Sequence, residues 1–589
     1  MKHVWKIVLI ALCLLGGRSN AQIADEEILS LIGGGGGDEA WTWVRAVLYD
    51  TARASICVLV ETMVVDLPVT DDSLQHSAIR NFHTHAYFAI YDAEMRTLQY
   101  GSYIGGDRST SADAMLWSEN GDELLLVGST ESPNLPVTPY ARGMHLSGKW
   151  DIWYARFSLA SRRFTYLSYV GGDRSDYCKD ALVSSDGKFV ICGVTSSTDL
   201  PFLRTSITKP RTDSDGNAAI FVLSGDSLQS VAVFGSATPN VLYEGIDYIV
   251  ETENSYVFAG FTYGWDFPVT PGCLQPKYSG GWGGDIFFME TDKDFTTLHY
   301  SSYLGAKHTD FLDAVQQWGS KVHLVGQTGG PASEFPATHP PLGTPWRDAG
   351  GGFHVIYDAA THSVLRSNLV LAPGGIDVRD IMMPDERTYI LLLSTTADSL
   401  LGVTIPAREH GREWVSLLAA VSVEDYQLCT AQMLSPTQPL GYVGTWNLWF
   451  NAGGLYHSGW VEAPVTVNPG GYRTTYLGGT EPFIGKLHLN INAQEALRPP
   501  VASLLSLSPF PNPARAAATA LLTAAPGAYT LRIHGSDGRE LRSQRVYCDG
   551  GGGSVSVPLD GLAAGHYQLS AVDAQGRIVA RSALVVEGR

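Results

Sequence analysis

A short proline turn recurs along the whole chain and constrains its fold more than any other feature. The segment Trp265–Gly272 reads WDFPVTPG. Proline fixes φ and removes a backbone donor, while glycine permits positive φ, so this segment is a turn. Near-copies occur at Asp66–Thr70, Asn134–Thr138, Asp199–Leu203, Glu334–Thr338, Leu400–Thr404 and Glu462–Thr466. The proline position, which Gly402 occupies in one copy, returns every 62 to 68 residues.

Strand-like segments surround each copy of the turn. An apolar run such as Leu124–Thr130 precedes it, and a second such as Asp151–Ser158 follows. In several copies a further run then ends in glycine, as in Phe164–Gly172. A fixed period with four short strands per unit is typical of a β-propeller. The sequence therefore predicts an all-β fold with a seven-bladed propeller, in which the turn joins the second and third strands of every blade.

The two ends of the repeat region complement each other. The seventh unit stops after its third strand, Phe483–Asn490, whereas Ile28–Ala40 matches Leu167–Ala181 of an earlier unit. We predict that Glu27–Ile32 is the outer strand of the last blade, because this pairing removes an exposed sheet edge. Residues 22–497 then form the propeller.

The repeat resembles a known family. The period, the strand ends of the YLGG type and the D-F-P-V-T-P turn are similar to the bacterial β-propeller repeats of exported proteins, over roughly residues 27–495. That family is defined by its architecture and has no common catalytic motif. The resemblance therefore implies the fold and not an activity.

The C-terminal region reads as a separate domain. After a linker at residues 498–505, alternating strands separated by Asp537-Gly538 and Gly550–Gly553 predict a small β-sandwich over residues 506–589. This region resembles the C-terminal sorting domain of type IX secretion in four short pieces: Pro511-Asn512-Pro513, Gly538-Arg539, Leu562–Tyr567 and Ala583–Val586. The resemblance implies the outer-membrane secretion machinery as a partner.

The N-terminus predicts export. Residues 1–21 combine Lys2 and Lys6 with the apolar run Val8–Leu15 and small residues before Ala21, which is the pattern of a signal peptide cleaved after Ala21. No later segment has 18 uninterrupted apolar residues, so no membrane span is expected. With the C-terminal resemblance, this predicts a secreted or cell-surface protein that passes through the periplasm. A disulfide between Cys178 and Cys192 is left open.

Charge narrows the range of partners. The net charge is −19, and the region between the signal peptide and residue 506 carries −24. A strongly acidic surface repels polyanions, so nucleic acid is not an expected partner. The expected ligand is a protein or a glycan.

A regular polar position near the start of each first strand is the main candidate site. Its members are Glu39, Asp113, Asp180, Asp247, Asp313, Asp380 and Asn447. Because first strands line the channel of a propeller, these side chains could form a ring that binds Ca²⁺ or another cation. The alternative, which we favour, is that each side chain caps a nearby turn, because a repeat first repeats its structural residues.

Three tryptophans lie in or near the long loops of the turn face: Trp150, Trp282 and Trp346. Exposed aromatic rings there could stack on sugars or anchor a protein partner. The other reading is that they pack beneath the loops.

The sequence contains no G-x-S-x-G, H-E-x-x-H, P-loop or dinucleotide fingerprint. We therefore predict a binding or scaffold module without a cofactor and not an enzyme. The alternative is a glycan hydrolase or lyase that draws a carboxylate pair from the acidic ring at the channel mouth. Such an enzyme should break the repeat symmetry with unique His, Arg or Tyr residues beside the acids.

Overall fold

In the computed structural model the 589-residue chain divides into two compact units, residues 1–497 and residues 498–589. The described residues of the first unit are 24–32, 42–78, 83–205, 207, 216–236, 244–280, 284–343, 350–385, 388–396, 399–400, 403–404, 415–424, 426–434, 443–451, 454–461 and 481–489. Those of the second are 506–510, 517–523, 527–534, 540–548, 553–559, 562–572 and 578–586. Within these ranges the chain is almost entirely β-structure, with one short 3-10 turn at Ala332–Glu334. The prediction of an all-β chain is confirmed.

The described strands of the larger unit form seven consecutive antiparallel sheets. We number the sheets by their first strands along the chain. Sheet 1 comprises Thr42–Asp50, Ser55–Thr62, His85–Asp92 and Leu98–Ile104. Sheet 2 comprises Ala114–Trp117, Glu123–Thr130, Asp151–Ser158 and Arg163–Val170. Sheet 3 comprises Asp176–Val183, Phe189–Thr195, Asn217–Ser224 and Ser227–Phe234. Sheet 4 comprises Glu244–Glu251, Ser255–Thr262, Asp285–Asp292 and Leu298–Leu304.

The remaining three sheets follow the same order of strands. Sheet 5 comprises Asp310–Trp318, Lys321–Thr328, Gly351–Asp358 and Ser363–Leu371, with Leu342–Gly343 added in parallel at its outer edge. Sheet 6 comprises Ile376–Asp385, Thr388–Thr395, Val415–Ser422 and Leu428–Leu434. Sheet 7 comprises Val443–Asn451, Gly454–Val461, Glu481–Leu489 and, as its outer strand, Ala24–Leu31. A separate two-strand ladder joins Ser399–Leu400 to Val403–Thr404.

The sheets pack face to face around a common centre. Second strands such as Ser55–Thr62 and Phe189–Thr195 are buried at every residue, because both faces of each sheet are covered by neighbouring sheets. The cluster between sheets 4 and 5, for example, joins Phe288 and Tyr300 to Tyr357. The first strand of each sheet contacts the first strand of the next, and sheet 7 contacts sheet 1 in the same way. The arrangement is therefore closed and propeller-like.

The N-terminal strand belongs to the last sheet. Ala24–Leu31 pairs antiparallel with Glu481–Leu489, from Ala24 opposite Leu489 to Leu31 opposite Phe483. The first and last described strands of the unit thus share backbone hydrogen bonds. The observed strand begins three residues before the predicted Glu27 and ends one residue before Ile32.

Tyrosine hydroxyl groups explain why the proline turn and the YLGG-type strand end occur together. In sheet 4 the Tyr303 hydroxyl accepts a hydrogen bond from the Phe267 N–H at 2.8 Å and donates one to the Gly264 carbonyl at 2.7 Å. Sheets 1 and 2 repeat both bonds, with Tyr103 bridging Leu67 and Val64, and Tyr169 bridging Leu135 and Ser132. The fourth-strand tyrosine therefore holds the turn against its own sheet.

The glycine that follows the fourth strand has a different cause. A Cβ atom on Gly305 would lie 2.2 Å from Oδ2 of Asp310, and one on Gly235 would lie 2.3 Å from Oε2 of Glu244. Both acidic residues begin the first strand of the following sheet. Glycine is required at these positions because the next sheet places a carboxylate directly against the backbone.

Strand direction places the turns and the glycine-rich loops on one face of the larger unit. In sheet 1 the start of the first strand pairs with the end of the second, Thr42 opposite Thr62, and Thr62 pairs with His85 at the start of the third. The loops between strands two and three, and those that lead to the next sheet, therefore emerge at the same edge. We call this edge the turn face.

The smaller unit contains two antiparallel sheets. One has the order Ser506–Phe510, Ala517–Thr523 and Gly553–Pro558, and the other the order Glu540–Cys548, Gly527–His534, Gly565–Val572 and Ile578–Val586. Leu531, Ile533, Leu569 and Leu584 are buried in the second sheet. The predicted pieces Pro511-Asn512-Pro513 and Gly538-Arg539 lie outside the described residues.

We predict that Tyr303→Phe destabilises the larger unit by about 1–3 kcal/mol, because the buried N–H of Phe267 and carbonyl of Gly264 both lose their partner. Urea denaturation followed by tryptophan fluorescence measures the change. Tyr140, which is 89% exposed, supplies the control, and Tyr140→Phe should leave the midpoint in place. Equal midpoints for the two variants would contradict the proposed role of the hydroxyl.

Candidate binding site in the channel

A repeated backbone irregularity positions the candidate site. In six of the seven sheets the first strand carries a β-bulge, an extra residue that faces no partner on the second strand. Asp113 has the same place in sheet 2, where its N–H and the following Ala114 both face Val127. Around the unit the bulge residues are Arg45, Asp113, Lys179, Asp247, Asp313, Arg379 and Trp446.

The bulge residues carry charges of both signs. Arg379 pairs with Asp313 at 3.0 Å and with Asp377 at 2.6 Å, and Arg45 pairs with Glu61 at 2.5 Å. Lys179, which is exposed, lies between Asp113 and Asp247 in the cyclic order and makes no ion pair with any described residue. The first strands therefore present three basic and three acidic side chains, and not a ring of acids.

The predicted ring is distributed over two positions. Asp113, Asp247 and Asp313 are bulge residues, whereas Asp180, Asp380 and Asn447 come one residue after the bulge. Glu39 lies outside the described residues, and Arg45 occupies the bulge in sheet 1. The repeat interval is nearly constant but not exact, so counting along the sequence selected the bulge residue in some sheets and its neighbour in others.

Asp180 and Asp380 bind backbone. The carboxylate of Asp380 accepts hydrogen bonds from the N–H of Ile381 and from that of Leu448 in sheet 7, both at 2.8 Å. Asp180 accepts from Ala181 at 2.8 Å and from Ile249 in sheet 4 at 3.2 Å. Each carboxylate thus joins its own first strand to that of the next sheet.

Burial alters the acidity of the channel carboxyl groups. Burial raises the pKa of Asp113 and of Asp247 to about 6, and the positive charge of Lys179 opposes the rise in both. The pKa of Asp313 is raised to about 7 by burial, which the charge of Arg379 opposes in part. The carboxyl groups of Asp113, Asp247 and Asp313 therefore change their protonation state near neutral pH.

A cavity of about 660 Å³ opens beside these residues, lined by Arg45, Asp113, Lys179, Asp247 and Tyr248. Exposed aromatic rings stand at the same first strands: Trp43 is 45% exposed, and Phe311, which also lines the cavity, is 54% exposed. The guanidinium of Arg45 lies 4.9 Å from the centre of the Trp43 ring. Charged groups and flat apolar surface therefore occur together at this site.

The other predicted residues have structural surroundings or lie outside the described part. Trp150 is half-buried and packs against Tyr177 with ring centres 5.5 Å apart, while Trp282 and Trp346 lie outside the described residues, as does Ala21. Cys178 and Cys192 are free buried thiols, and burial raises the pKa of both well above its usual value. Within the described ranges, no group of three or more His, Cys, Asp or Glu side chains is placed to hold a metal ion.

Sequence reasoning missed Arg45, Lys179 and Arg379. A signal was present, since Lys179 directly precedes Asp180 and Arg379 directly precedes Asp380. The position of the bulge shows that Lys179 and Arg379, and not the aspartates that follow them, are equivalent to Asp113. None of the helices in the described part is long and apolar enough to span a membrane.

Comparison with known proteins adds little. No family model matches the chain, and no curated protein matches it. Among solved structures, the β-propeller domain of the Trilobed protease from Pyrococcus furiosus is 8% identical, with 72% of this chain and 89% of that chain covered and a TM-score of 0.32. The Kuenenia stuttgartiensis hydrazine synthase is 11% identical, with 59% of this chain and 75% of that chain covered and a TM-score of 0.32. A fungal alcohol oxidase of the AA5 family in complex with copper is 10% identical, with 96% and 100% covered and a TM-score of 0.34. Such weak likeness carries no argument about this chain.

We predict that Asp247→Asn stabilises the protein at pH 8 by about 1 kcal/mol and leaves its stability unchanged at pH 4. The folded-state pKa of Asp247, about 6, lies above its unfolded value. The charged form therefore costs stability as the pH rises past the unfolded pKa, and the full cost is reached above the folded-state pKa. An amide resembles the neutral acid and removes this cost. Thermal unfolding from pH 4 to pH 8 measures the difference, with the exposed Asp294→Asn as control. A stability difference that does not vary with pH would exclude the titration of Asp247 as its cause.

Proposed function

We propose that this protein is an exported seven-bladed β-propeller that binds a protein or glycan ligand at its channel mouth. The observation that carries the proposal is a contrast between two sets of residues: those that repeat unchanged to hold the sheets and turns together, and those that vary along the channel. Tyr103, Tyr169 and Tyr303 repeat because they serve the frame. Arg45, Asp113 and Lys179 occupy one repeated backbone position and yet differ in charge. A position that the repeat keeps in place but varies in chemistry is suited to contact with a specific ligand.

The chemistry of the channel mouth favours a ligand with polar groups and flat apolar faces. Lys179 offers an exposed cation between two carboxyl groups, and Trp43 and Phe311 offer exposed rings. Aromatic side chains stack on sugar faces and anchor peptide side chains, while the charged groups fix orientation. A glycan or a peptide segment fits this combination.

The number of blades and their closure form part of the proposal. Seven sheets of one strand order and a cyclic contact of first strands support seven blades. The pairing of Ala24–Leu31 with Glu481–Leu489 supports closure by the N-terminal strand. We assign residues 22–497 to the propeller and residues 498–505 to a linker.

The proposed export of the protein depends on its N-terminal and C-terminal segments. We propose that residues 1–21 are a signal peptide and that residues 506–589 are a β-sandwich sorting domain that directs the protein through the outer-membrane secretion machinery to the surface or the medium. The two antiparallel sheets of the smaller unit support a sandwich.

A glycan hydrolase or lyase is the second candidate, and one observation favours it. Arg45, Lys179 and Tyr248 break the repeat symmetry beside acids, and burial raises the pKa of Asp113 and Asp247 to about 6. A carboxylic acid with a raised pKa is suited to general acid catalysis. In this function Asp113 or Asp247 protonates the leaving group.

Glycan and peptide arrays probed with the full chain test the binding function. We expect Lys179→Ala and Phe311→Ala each to lower binding of a retained ligand at least about tenfold, which corresponds to the loss of one central contact. Lys188→Ala, in the hairpin of sheet 3 away from the turn face, is the matched control and should bind normally. Consumption of an arrayed glycan, lost in Asp113→Asn or Asp247→Asn, would instead establish the enzyme. Binding that Lys179→Ala and Phe311→Ala both leave intact would place the site elsewhere.

Deletion of residues 506–589 tests delivery. In the native host we expect the shortened protein to accumulate in the periplasm, because it lacks the segment that the secretion machinery recognises. Immunoblots of periplasm, cell surface and medium measure its location, and the full chain is the control. Surface delivery of the shortened protein would refute the sorting role.

A further inference from the structure

Two pairs of buried carboxyl groups occupy equivalent places on the turn face. Asp151 begins the third strand of sheet 2 beside Asp176, which begins the first strand of sheet 3. Asp285 of sheet 4 and Asp310 of sheet 5 have the same relation. The first three are fully buried, and Asp310 is 4% exposed. Burial of four carboxyl groups is costly unless each oxygen has a partner.

In the pair between sheets 2 and 3 every carboxylate oxygen has a donor. Asp151 accepts hydrogen bonds from the N–H groups of Ser147 at 2.7 Å and Gly148 at 3.2 Å. The Asp176 carboxylate accepts from three groups: the Thr195 hydroxyl at 2.5 Å, the Ser197 hydroxyl at 2.7 Å and the Gly172 N–H at 2.8 Å. This pair is complete without a ligand.

The pair between sheets 4 and 5 is not complete. Oδ2 of Asp285 accepts the N–H and the hydroxyl of Ser279, both at 2.7 Å, but its Oδ1 has no hydrogen-bond partner. Oδ2 of Asp310 accepts the Ala306 N–H at 3.2 Å, and its Oδ1 has no partner. The hydroxyl of Thr328, which is buried opposite Asp310 in sheet 5, also has no partner in hydrogen-bond geometry. Three buried oxygen atoms are therefore left open at one boundary.

A reciprocal exchange of small residues accounts for one missing donor to Asp310. Gly330 stands where sheet 3 has Ser197, and Ala306 stands where sheet 2 ends in Gly172. A Cβ on Gly330 would lie 2.7 Å from the Cβ of Ala306, just as a Cβ on Gly172 would lie 2.8 Å from that of Ser197. The exchange removes the hydroxyl that, in the Asp176 pair, donates to Oδ2. Oδ1 of Asp310 is the counterpart of the Asp176 oxygen that accepts from Thr195, and it stays open because the Thr328 hydroxyl is not in hydrogen-bond geometry.

The charge of Asp285 also acts on Asp310. Burial is the main cause that raises the pKa of Asp310 to about 7, and the negative charge of Asp285 adds to it. The Thr328 hydroxyl lies beside Asp310 and lowers that pKa, although the two groups are not in hydrogen-bond geometry. Two nearby anions and an open hydroxyl oxygen form a donor set of oxygen atoms alone, which suits a hard cation such as Ca²⁺.

We propose that the boundary between sheets 4 and 5 binds Ca²⁺ through Asp285, Asp310 and Thr328. Backbone carbonyl groups and water complete the coordination, because two carboxylates supply fewer ligands than Ca²⁺ prefers. Asp310 and Ile286, the neighbour of Asp285, line the channel cavity, so the ion also supports the wall of the candidate binding site. The site is distinct from the predicted ring of channel acids and does not depend on the proposed ligand.

Thermal unfolding of the full chain with added CaCl₂ tests this site, with NaCl at equal ionic strength as the reference. We expect CaCl₂ to raise the melting temperature of the wild type, because an ion that binds only the folded state stabilises it by mass action. Asp310→Asn should abolish the rise. Asp176→Asn, in the completed pair, is the matched control and should retain it.

A second variant keeps the test informative if Asp310→Asn fails to fold. The double change Ala306→Gly with Gly330→Ser recreates the arrangement of Gly172 and Ser197 and supplies a hydroxyl donor to Asp310. We expect it to fold without added ion and to lose the response to Ca²⁺. A wild type that does not respond to Ca²⁺ overturns the proposal. A response that the double variant retains, or that Asp113→Asn removes, places the ion elsewhere and overturns it as well.

Discussion

The arrangement of the larger unit depends on the backbone pairing between Ala24–Leu31 and Glu481–Leu489. Each sheet is buried on both faces only because it has a neighbour on either side, and in a ring the last sheet must meet the first. Without the N-terminal strand, sheet 7 has three strands and an open edge. Closure by hydrogen bonds between distant parts of the chain therefore holds the first strands around one channel, and the channel residues depend on it.

Within this frame, repeated residues and varied residues serve different ends. Tyr103, Tyr169 and Tyr303 each satisfy one buried N–H and one buried carbonyl group of the proline turn. These contacts recur in sheets 1, 2 and 4 because the same turn lies against the same strand end in each. The bulge position repeats only in its backbone. Its side chains carry charges of both signs, so that Arg379 pairs with Asp313 while Lys179 is exposed.

The two boundaries that contain paired carboxyl groups differ in their small residues. Gly172 faces the Cβ of Ser197, and Gly330 faces the Cβ of Ala306 in the equivalent place. Only the first combination carries a hydroxyl group, so only Asp176 receives the additional hydrogen bond. Asp310 therefore has one hydroxyl donor fewer than Asp176, and the Oδ1 atoms of Asp285 and Asp310 have no hydrogen-bond partner.

The sequence by itself determined the class of fold and the period at which its four-strand units repeat. The period of the proline turn predicted all-β units of four strands, and the apolar runs it separates are the strands observed, as in Glu123–Thr130 and Asp151–Ser158. Local patterns suffice for this, because strands and turns depend on neighbouring residues. Tertiary structure alone decided the channel. The register of strand pairing makes Lys179, and not Asp180, the bulge residue of sheet 3. The repeat spacing of about 67 residues does not indicate which of the two it is. The same holds for Asp285 and Asp310, which are separated in sequence and become one candidate site only because sheet 5 packs against sheet 4.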